Sequence, residues 1–382
     1  MRLLVVPKDF PSDEEPHAGI FVLRQIQALQ QIGHEVRVLR VVPKAPPLLA
    51  HWRRYRSIPA HYTFEGVEVE TARPFMPPRM LLTSAVRWQM GAAFARTVRA
   101  FAPDIIHAHF IVPTGTLAVA RGVPTVLTAH GSDAYDWAQS RADLRSSARF
   151  AVRKASVVTA VSRFIADRVR ALGRDTVEVV YNGADAATFA PGDRAQARRT
   201  LDVDPLRSVI VYAGRIERTK GIFELADALA RIGERAPLLL LGGAGPHEAD
   251  LRERLRANGV EHRFLGMLSH VQIARLFAAA DAVALPSYSE GLPAVVCEAM
   301  LAGRVVIATP VGGIPEIVQD GVSGRLVPVC DVGALTNAIV ALTGDPAGRD
   351  RMQRAALAFA RAHLTWAINA RAYDVIYHSL LV

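Results

Sequence analysis

Short apolar runs alternate with amphipathic helical patterns along almost the whole chain of 382 residues. This alternation is typical of parallel sheets with helices on both faces, because parallel strands are joined by helical crossovers. In the first half, strands are predicted at 3–6, 35–41, 67–71, 104–107, 125–128, 156–160 and 177–180, and helices at 20–31, 84–101 and 164–172. The sequence therefore predicts an α/β fold.

The alternation is interrupted at 181–193 by the segment YNGADAATFAPGD. Its Gly, Pro, Asp and Asn residues, and the basic run at 194–200 after it, indicate a linker. Beyond it, strands are predicted at 208–214, 237–241, 262–265, 281–285, 305–308 and 325–327, and helices at 221–232, 247–257 and 271–279. A chain of this length exceeds a single core, so we expect two Rossmann-like, doubly wound domains facing a cleft that receives ligands.

Composition narrows the possible partners and compartments. The 45 Lys and Arg residues exceed the 36 Asp and Glu residues, which gives a net charge of +9. This excess favours a phosphate-bearing substrate, nucleic acid or an anionic membrane surface, without choosing among them. Two cysteines cannot form a disulfide framework or a zinc cluster, and no apolar run is long enough for a signal peptide or a membrane span. We expect a cytoplasmic protein.

The stretch PSYSEGLPAVVCEAMLAG at 286–303 carries the densest set of candidate ligand-binding residues. A helix is predicted to begin near Leu292, with Pro293 at its first position, because proline suits a helix start. Glu290 then precedes the helix and Glu298 lies about two turns inside it. The amides of a helix start can bind phosphate, and flanking carboxylates can accept hydrogen bonds from sugar hydroxyls. The alternative is a helix with an acidic cap.

Two further turns of the second half are candidate ligand contacts. In GRIERTKG, Arg215 and Lys220 could converge on one diphosphate from two sides, although the Walker order is absent and solvated charges are the alternative. Gly243 in GGAGP permits a close approach of a ligand or another chain, or forms an ordinary turn. The segment RFLGM, which includes Leu265, could offer backbone groups to the edge of a nucleobase.

Three stretches of the first half are comparable candidates. TAHGSD places His130 at the carboxyl end of a strand, where it could meet a hydroxyl, with Asp133 close enough to orient it or to meet an acceptor. The HAH of His107 and His109 lacks further metal-ligand spacing, so packing or cleft histidines are favoured over a metal site. Gly19 in HAG could let the backbone approach a phosphate or an acceptor, or form a generic turn.

The segment 44–82 interleaves arginines with aromatic and aliphatic residues and is interrupted by prolines. Such a composition suits an acceptor-binding region or contact with a membrane surface, and arginines with aromatics could also bind nucleic acid. A solvated loop is the plainest alternative. A peripheral position on the inner face of the cell membrane is therefore left open.

Taken in order, these motifs resemble the retaining GT-B glycosyltransferases of family 4. The resemblance covers nearly the whole chain, from HAGIFVLRQIQALQQIGHEV through TAHGSD, YNGAD and GRIERTKG to EGLPAVVCEAM and VGGIPEIVQDGVSG. Its most specific part is the EX7E pattern from Glu290 to Glu298. The HAG of the first loop departs from the paired glycines that many members show, which weakens the expected phosphate contact of Gly19.

The resemblance implies a role for each candidate residue. Glu298 would accept hydrogen bonds from the ribose of the donor nucleotide, and Glu290 would lie near the hydroxyls of the transferred sugar. Arg215 and Lys220 would neutralise the leaving diphosphate, so that neither a metal ion nor another cofactor is needed. The remaining expected contacts are His130 beside the donor sugar, Gly19 near the phosphate, and the amides of Gly291, Leu292, Pro293 and Ala294 at sugar hydroxyls or phosphate.

The resemblance also implies an activity and a domain division. We expect transfer of a sugar from a UDP-sugar, or secondly GDP-mannose, to a hydroxyl of a lipid-linked or saccharide acceptor, with retention by front-face attack. The expected domains are 1–188, joined by a returning C-terminal helix at 363–382, and 189–362. Two alternatives stay open: a sugar-nucleotide epimerase or phosphorylase of the same architecture, and a basic module that binds nucleic acid or anionic surfaces.

Overall fold

The computed structural model describes residues 1–42, 44, 53–73, 84–120, 122–135 and 141–381, without the side chains of 53–54, 84–89 and 135. The chain divides into two compact units, Met1–Tyr181 with Trp366–Val382, and Asn182–Thr365, here called unit 1 and unit 2. The division falls before the predicted boundary at 188, because Ala184 donates its N–H to the carbonyl of Leu364 at 2.8 Å and so belongs with unit 2.

The sheet of unit 1 contains eight strands within the described ranges, in the order β3-β4-β2-β1-β5-β6-β7-β8. The strands are β1 (Arg2–Val6), β2 (Glu35–Val41), β3 (His61–Phe64), β4 (Val67–Ala72), β5 (Ile105–His109), β6 (Thr125–Ala129), β7 (Val157–Ala160) and β8 (Glu178–Val179). All neighbours pair in parallel except β3 and β4, which form an antiparallel hairpin at one edge. The alternating pattern did not predict β3, because this edge strand is half exposed and lacks an apolar run.

The helices of unit 1 up to residue 181 cover both predicted and unpredicted segments. They are α1 (Ile20–Gln31), α2 (Arg53–Ser57), α3 (Ser84–Phe101), α4 (Thr116–Ala118), α5 (Ser132–Tyr135), α6 (Ala142–Lys154) and α7 (Arg163–Arg170). The sequence analysis missed α6, whose buried residues are only Ala148, Ala151 and Val152. Three small side chains give a weak apolar stripe, so the charged residues dominate the pattern.

The sheet of unit 2 contains six strands within the described ranges, all paired in parallel, in the order β11-β10-β9-β12-β13-β14. They are β9 (Val209–Ala213), β10 (Leu238–Gly242), β11 (His262–Phe264), β12 (Ala282–Leu285), β13 (Val305–Ala308) and β14 (Gly324–Leu326). The strand order reverses between β9 and β12, because the chain moves outward from β9 in one direction before returning to its other side. Open α/β sheets bind ligands at the carboxyl ends of such a pair.

The helices of unit 2 connect these strands and close the unit. They are α8 (Arg194–Thr200), α9 (Ile222–Ile232), α10 (Glu248–Ala257), α11 (His270–Ala279), α12 (Ala294–Leu301), α13 (Ile314–Ile317), α14 (Val332–Gly344) and α15 (Pro346–His363). The interpretation of 194–200 as linker is wrong, because Asp193 caps α8 by accepting a hydrogen bond from the backbone N–H of Gln196 at 3.0 Å. The predicted α/β class with parallel sheets is confirmed.

The last helix, α16 (Trp366–Ser379), belongs to unit 1 and packs against α1 in its core. Gln25 donates a hydrogen bond to Asn369 at 2.7 Å, and Asn369 in turn donates to the carbonyl of Tyr181 at 2.7 Å. These buried bonds fix the position of α16 on the sheet of unit 1. Every helix in the described part of the chain is too short or too polar to cross a lipid bilayer.

Candidate active site

The loops after β9 and β12 carry three of the predicted residues of unit 2. Arg215 and Lys220 follow β9, and Glu290 follows β12, the neighbouring strand across the reversal of strand order. The backbone N–H of Tyr288 donates to the carbonyl of Thr219 at 2.9 Å, which ties the two loops together. The sheet topology therefore brings residues that are 70 positions apart to one edge.

Lys220 and Glu290 form an ion pair in this structure, with 2.8 Å between Lys220 Nζ and Glu290 Oε1. The side chain of Lys220 is 27% exposed and that of Glu290 is 11% exposed. The pair is thus sheltered from solvent while still open to a ligand. The two residues that the sequence assigned to the diphosphate and to the sugar are brought into direct contact.

Arg215 points into solvent rather than towards this pair. Its side chain is 68% exposed, and its Nε lies 3.1 Å from Glu217 Oε2. The backbone is held by Tyr212, whose hydroxyl donates to the carbonyl of Arg215 at 2.6 Å. The guanidinium is therefore free to rotate on a fixed backbone, and the structure does not bring it to Lys220.

The helix after β12 begins later than predicted. Pro293 is the N-cap of α12 with an extended backbone (φ −73°, ψ 123°), and Ala294 is the first helical residue. The predicted start near Leu292, with Pro293 inside the helix, is wrong, as is the depth of Glu298, which is the fifth residue and lies one turn inside. Pro293 also carries no N–H, so the donors available at this helix start exclude it.

Glu298 lies in a buried position on α12, with 13% of its side chain exposed. Burial raises the pKa of this carboxyl to about 7. His270 Nε2 lies 3.8 Å from Glu298 Oε1, a neighbour that the sequence analysis missed. The sequence does contain a pattern that places His270 at a helix start. Ser269 and Gln272 form a capping box, which makes His270 the first residue of α11.

The loop after β13 packs against the backbone of Glu290 and Gly291. The N–H of Gly313 donates to the carbonyl of Gly291 at 2.7 Å. A Cβ at Gly312, whose φ is +59°, would lie 2.0 Å from the carbonyl oxygen of Glu290. Only glycine fits there, so the VGG after β13 fixes the backbone of the segment that carries the carboxylate. No role for this motif was predicted from the sequence.

Gly243 and Leu265 both lie at strand ends of unit 2, but their backbone N–H groups form hydrogen bonds within unit 2. The N–H of Gly243 donates to the carbonyl of Gly266 at 2.7 Å, and the N–H of Leu265 donates to the carbonyl of Leu241 at 2.8 Å. The expected contact of RFLGM with a nucleobase stays a prediction, although the N–H of Leu265 is already used. Its carbonyl is the group that could still meet a base.

In unit 1, Asp133 stabilises the loop that carries His130. Its buried carboxylate accepts hydrogen bonds from the backbone N–H groups of His130 (3.1 Å), Gly131 (2.8 Å) and Ile111 (2.9 Å). Burial raises the pKa of Asp133, and these three bonds oppose that increase. The carboxylate thus orients the backbone of the loop, and it does not contact the imidazole.

The imidazole of His130 packs against two aromatic rings. Its centroid lies 4.9 Å from that of Phe21 and 4.8 Å from that of Phe110. Burial lowers the pKa of His130 to about 3, so the ring is neutral. The side chain is half-buried. A neutral imidazole fixed in this way can donate or accept one hydrogen bond to a ligand.

Gly19 connects this site to the first helix. It is the N-cap of α1 with φ +64°, and a Cβ there would lie 2.1 Å from the carbonyl oxygen of Asp9. The close approach that glycine permits is thus to the protein's own loop. It also sets the start of α1, which places Phe21 against His130.

His107 and His109 are both buried in unit 1. His107 Nδ1 lies 2.7 Å from the hydroxyl of Tyr377, and its Nε2 lies 2.7 Å from that of Thr128. Among the described residues, no three His, Cys, Asp or Glu side chains are grouped to hold a metal ion. Within the arginine- and aromatic-rich segment predicted at 44–82, residues 45–52 and 74–82 lie outside the described residues, and the rest includes α2, β3 and β4.

Two family models match the chain. Residues 18–188 match the model described as Glycosyltransferase Family 4, and residues 207–345 match that described as Glycosyl transferases group 1. TuaC of Bacillus subtilis (strain 168), named for glycosyl transfer in teichuronic acid biosynthesis, is 31% identical over 331 residues, or 83% of each chain.

Solved structures share the fold over the full length. Sucrose-phosphate synthase from Thermosynechococcus elongatus superposes with a TM-score of 0.79 at 22% identity, over 100% of this chain and 99% of that one. Anabaena Alr3699/HepE in complex with UDP superposes with a TM-score of 0.78 at 23% identity, over 99% of this chain and 100% of that one.

Proposed function

The chain belongs to the group 1 glycosyltransferases of family 4 and has their GT-B fold, and from this premise we propose that it is a retaining, metal-independent transferase. It moves a sugar from a nucleoside diphosphate sugar to a hydroxyl of a saccharide or lipid-linked acceptor. The observation that carries this proposal is the sheltered pair of Lys220 and Glu290 at the reversal of strand order in unit 2.

The pair supports the proposal because it supplies a cation and a carboxylate at the expected edge of the sheet. A nucleoside diphosphate sugar has phosphates that need a cation and hydroxyls that need acceptors. In our proposal Lys220 binds the diphosphate, Glu290 accepts from hydroxyls of the transferred sugar, and Glu298 accepts from the ribose. The start of α12, with Gly291, Leu292 and Ala294 as its amide donors, adds further polar contacts.

The proposed reaction forms one bond and breaks one bond at the anomeric carbon. The acceptor oxygen attacks from the face that the diphosphate leaves, the anomeric C–O bond breaks, and the acceptor proton passes to an oxygen of the departing phosphate. Negative charge grows on that phosphate, so Lys220 and the mobile guanidinium of Arg215 would stabilise it electrostatically. These two positive charges replace a metal ion in the proposal, and no other cofactor is involved.

The proposed donor is a UDP-sugar first and GDP-mannose second. Support for UDP comes from the structural neighbour HepE, which was solved in complex with UDP. His130 would contact the transferred sugar, and the carbonyl of Leu265 would face the base. The acceptor class follows the relative TuaC, whose name refers to teichuronic acid biosynthesis.

A peripheral position on an anionic membrane is part of the proposal, and α6 is the surface that supports it. Its exposed residues Arg145, Arg149, Phe150, Arg153 and Lys154 lie on one side of the helix together with the exposed Asp143, and Phe150 is 44% exposed. Cations that flank an exposed aromatic ring suit a lipid surface with negative headgroups. Such a surface would hold the enzyme near a lipid-linked acceptor.

Thermal unfolding in the presence of a panel of nucleotides and nucleotide sugars tests the proposal. A binding donor at a hundred times its Kd stabilises the folded state by about 2.7 kcal/mol, so UDP and its sugars should raise the Tm most. NMR of the anomeric proton during transfer or donor hydrolysis then reports the stereochemistry, in buffer with EDTA. Absence of stabilisation by every nucleotide, or an inverted product, would overturn the proposal.

A further inference from the structure

His109 and His130 are joined by a hydrogen bond between their rings. His109 Nδ1 lies 2.9 Å from His130 Nε2, and the two ring planes are inclined by 25° with their centroids 5.2 Å apart. His109 is 1% exposed, and His107 stacks on it with 4.3 Å between ring centroids. A buried histidine therefore contacts the candidate sugar-binding histidine from the side of the core.

The hydrogen bond requires one ring to donate and the other to accept. Burial lowers the pKa of both histidines, so both rings are neutral and each carries one proton. If His130 donated through Nε2, the proton of His109 would lie on its own Nε2. That nitrogen is buried and has no hydrogen-bond partner among the described residues.

A buried N–H without an acceptor is rarer and more costly than a buried lone pair without a donor. The favourable arrangement therefore has the proton of His109 on Nδ1, where it is donated to His130 Nε2. The proton of His130 then lies on Nδ1. No described residue accepts from His130 Nδ1, so this N–H is available to a ligand.

We propose that His109 is a positioning residue, which fixes His130 in the Nδ1–H tautomer so that His130 offers a hydrogen-bond donor and not a base. Phe21 and Phe110 hold the plane of the ring, and His109 holds its protonation pattern. The part of this inference that concerns the sugar rests on the proposed function: the N–H would be donated to a hydroxyl oxygen of the transferred sugar. His130 then does not accept the proton of the acceptor hydroxyl. This agrees with the proposed reaction, in which the departing phosphate accepts it.

The tautomer can be measured without any substrate. In the full-length protein labelled with 15N-histidine, long-range 1H–15N spectra distinguish protonated from unprotonated ring nitrogens, and His130→Gln assigns the signals. We expect a protonated Nδ1 and an unprotonated Nε2 in His130. A proton on His130 Nε2 would overturn the proposal, whatever the activity of the enzyme.

Two substitutions at residue 109 separate positioning from packing. His109→Phe keeps an aromatic ring in the stack but removes the donor, whereas His109→Asn keeps a donor near the position of Nδ1. We expect His109→Phe to give mixed His130 tautomers and to lower kcat of donor hydrolysis or transfer by about tenfold, with KM changed by less than about threefold. His109→Asn should restore most of the rate.

The exposed His363→Phe serves as the control, with Tm measured for all variants to verify folding. Equal rates in His109→Phe and the wild type would overturn the positioning role, as would equal losses in His109→Phe and His109→Asn. If the wild type lacks transferase and hydrolase activity with every donor, the proposed function fails, and the NMR result still decides the tautomer.

Discussion

Lys220 and Glu290 neutralise each other across 2.8 Å, although each is assigned to a different part of the donor. A diphosphate that binds Lys220 must compete with the carboxylate, and the phosphate has the larger charge. Glu290 would then be released towards the sugar hydroxyls. The ion pair thus holds both side chains in position before the donor arrives.

Glu290→Gln should separate these two roles. The variant removes the competing charge, so we expect it to bind UDP as tightly as the wild type does, or a few-fold more tightly. We expect kcat to fall by at least about a hundredfold, because the carboxylate that contacts the sugar is lost. Lys220→Ala should instead weaken UDP binding by about tenfold. Isothermal titration with UDP and a donor turnover assay measure the two effects.

Glu248→Gln is the matched control for the glutamate change, because Glu248 also pairs with a cation, Arg252, at 2.7 Å, on α10. It should leave both UDP binding and kcat unchanged. If Glu290→Gln weakens UDP binding as much as Lys220→Ala does, the competition between carboxylate and diphosphate is not real.

Arg215→Ala should lower turnover more than affinity. The guanidinium is 68% exposed and, within the described part of the chain, pairs with Glu217, so it can follow charge that develops on the leaving phosphate. We expect kcat to fall by about a hundredfold and the Kd for UDP to change by less than about fivefold. Arg218→Ala is the control, since Arg218 is 60% exposed and stacks over Phe223 at 4.3 Å. Equal effects of the two substitutions would contradict the role of Arg215.

Glu298→Gln should change how stability depends on pH. The pKa of Glu298 is raised from 4.5 to about 7 by burial, so the folded state binds an extra proton between these values. The free energy of unfolding of the wild type should therefore fall as pH rises through this window and level off above it. At about 1.4 kcal/mol per pKa unit, the ionised carboxylate costs about 3 kcal/mol, and Glu298→Gln should regain that amount at pH 8.

The exposed Glu253→Gln on α10 provides the control for this pH profile. Thermal unfolding between pH 5 and pH 8 measures all three proteins. A wild type and a Glu298→Gln variant with parallel profiles would show that the carboxylate titrates near its ordinary pKa. UDP binding by the variant should be weaker by about tenfold at pH 8, because a neutral amide accepts from ribose hydroxyls less strongly than an ionised carboxylate.

The sequence predicted the elements whose signal is local, and it missed those that depend on packing. The apolar strands β9, β10 and β12 were predicted because parallel central strands read as continuous apolar runs. The edge strand β3 and the charged helix α6 were missed, since half-exposed elements lack such runs. The start of α12 was misplaced because proline suits both the N-cap and the first turn.

The candidate site shows the same division. Motif order was enough to select Lys220, Glu290 and His130, but not the partners that set their charge and orientation. His109 lies 21 positions from His130 in sequence, and His270 lies 28 positions from Glu298, so only the sheet and helix packing bring each pair together. The motif selects Arg215, but the sequence does not predict where its guanidinium lies, because the side chain is exposed to solvent.

Arg149→Glu with Phe150→Ser should abolish binding to anionic vesicles. The two residues lie at the centre of the exposed side of α6, where the substitutions reverse a charge and remove an apolar anchor. Sedimentation with vesicles of phosphatidylglycerol and phosphatidylcholine at low salt should show at least a tenfold loss of bound protein, at about 1 kcal/mol per cation. Arg256→Glu on α10 controls for net charge, and an equal loss there would attribute binding to overall charge.

Asp281 is a buried carboxylate of unit 2 that pairs with three arginines. It is 2% exposed and lies within 3.2 Å of Arg194, Arg198 and Arg349, and it accepts from the N–H of Val209 at 2.8 Å. Two of these guanidiniums, of Arg198 and Arg349, are themselves buried. Asp281→Asn would leave them without their counter-charge, which for a buried pair typically costs about 3–5 kcal/mol.

Asp227→Asn is the surface counterpart of that change, because Asp227 accepts two bonds from Arg254 at 2.6 Å in an exposed position. A surface pair of this kind contributes about 0–1 kcal/mol. We therefore expect thermal unfolding to show a Tm lowered by several degrees in Asp281→Asn and by at most a degree or two in Asp227→Asn. Similar Tm values for the two variants would mean that helix carbonyls, and not the carboxylate of Asp281, stabilise the buried arginines. One such carbonyl is that of Ala279, which accepts a hydrogen bond from Arg198 at 3.1 Å.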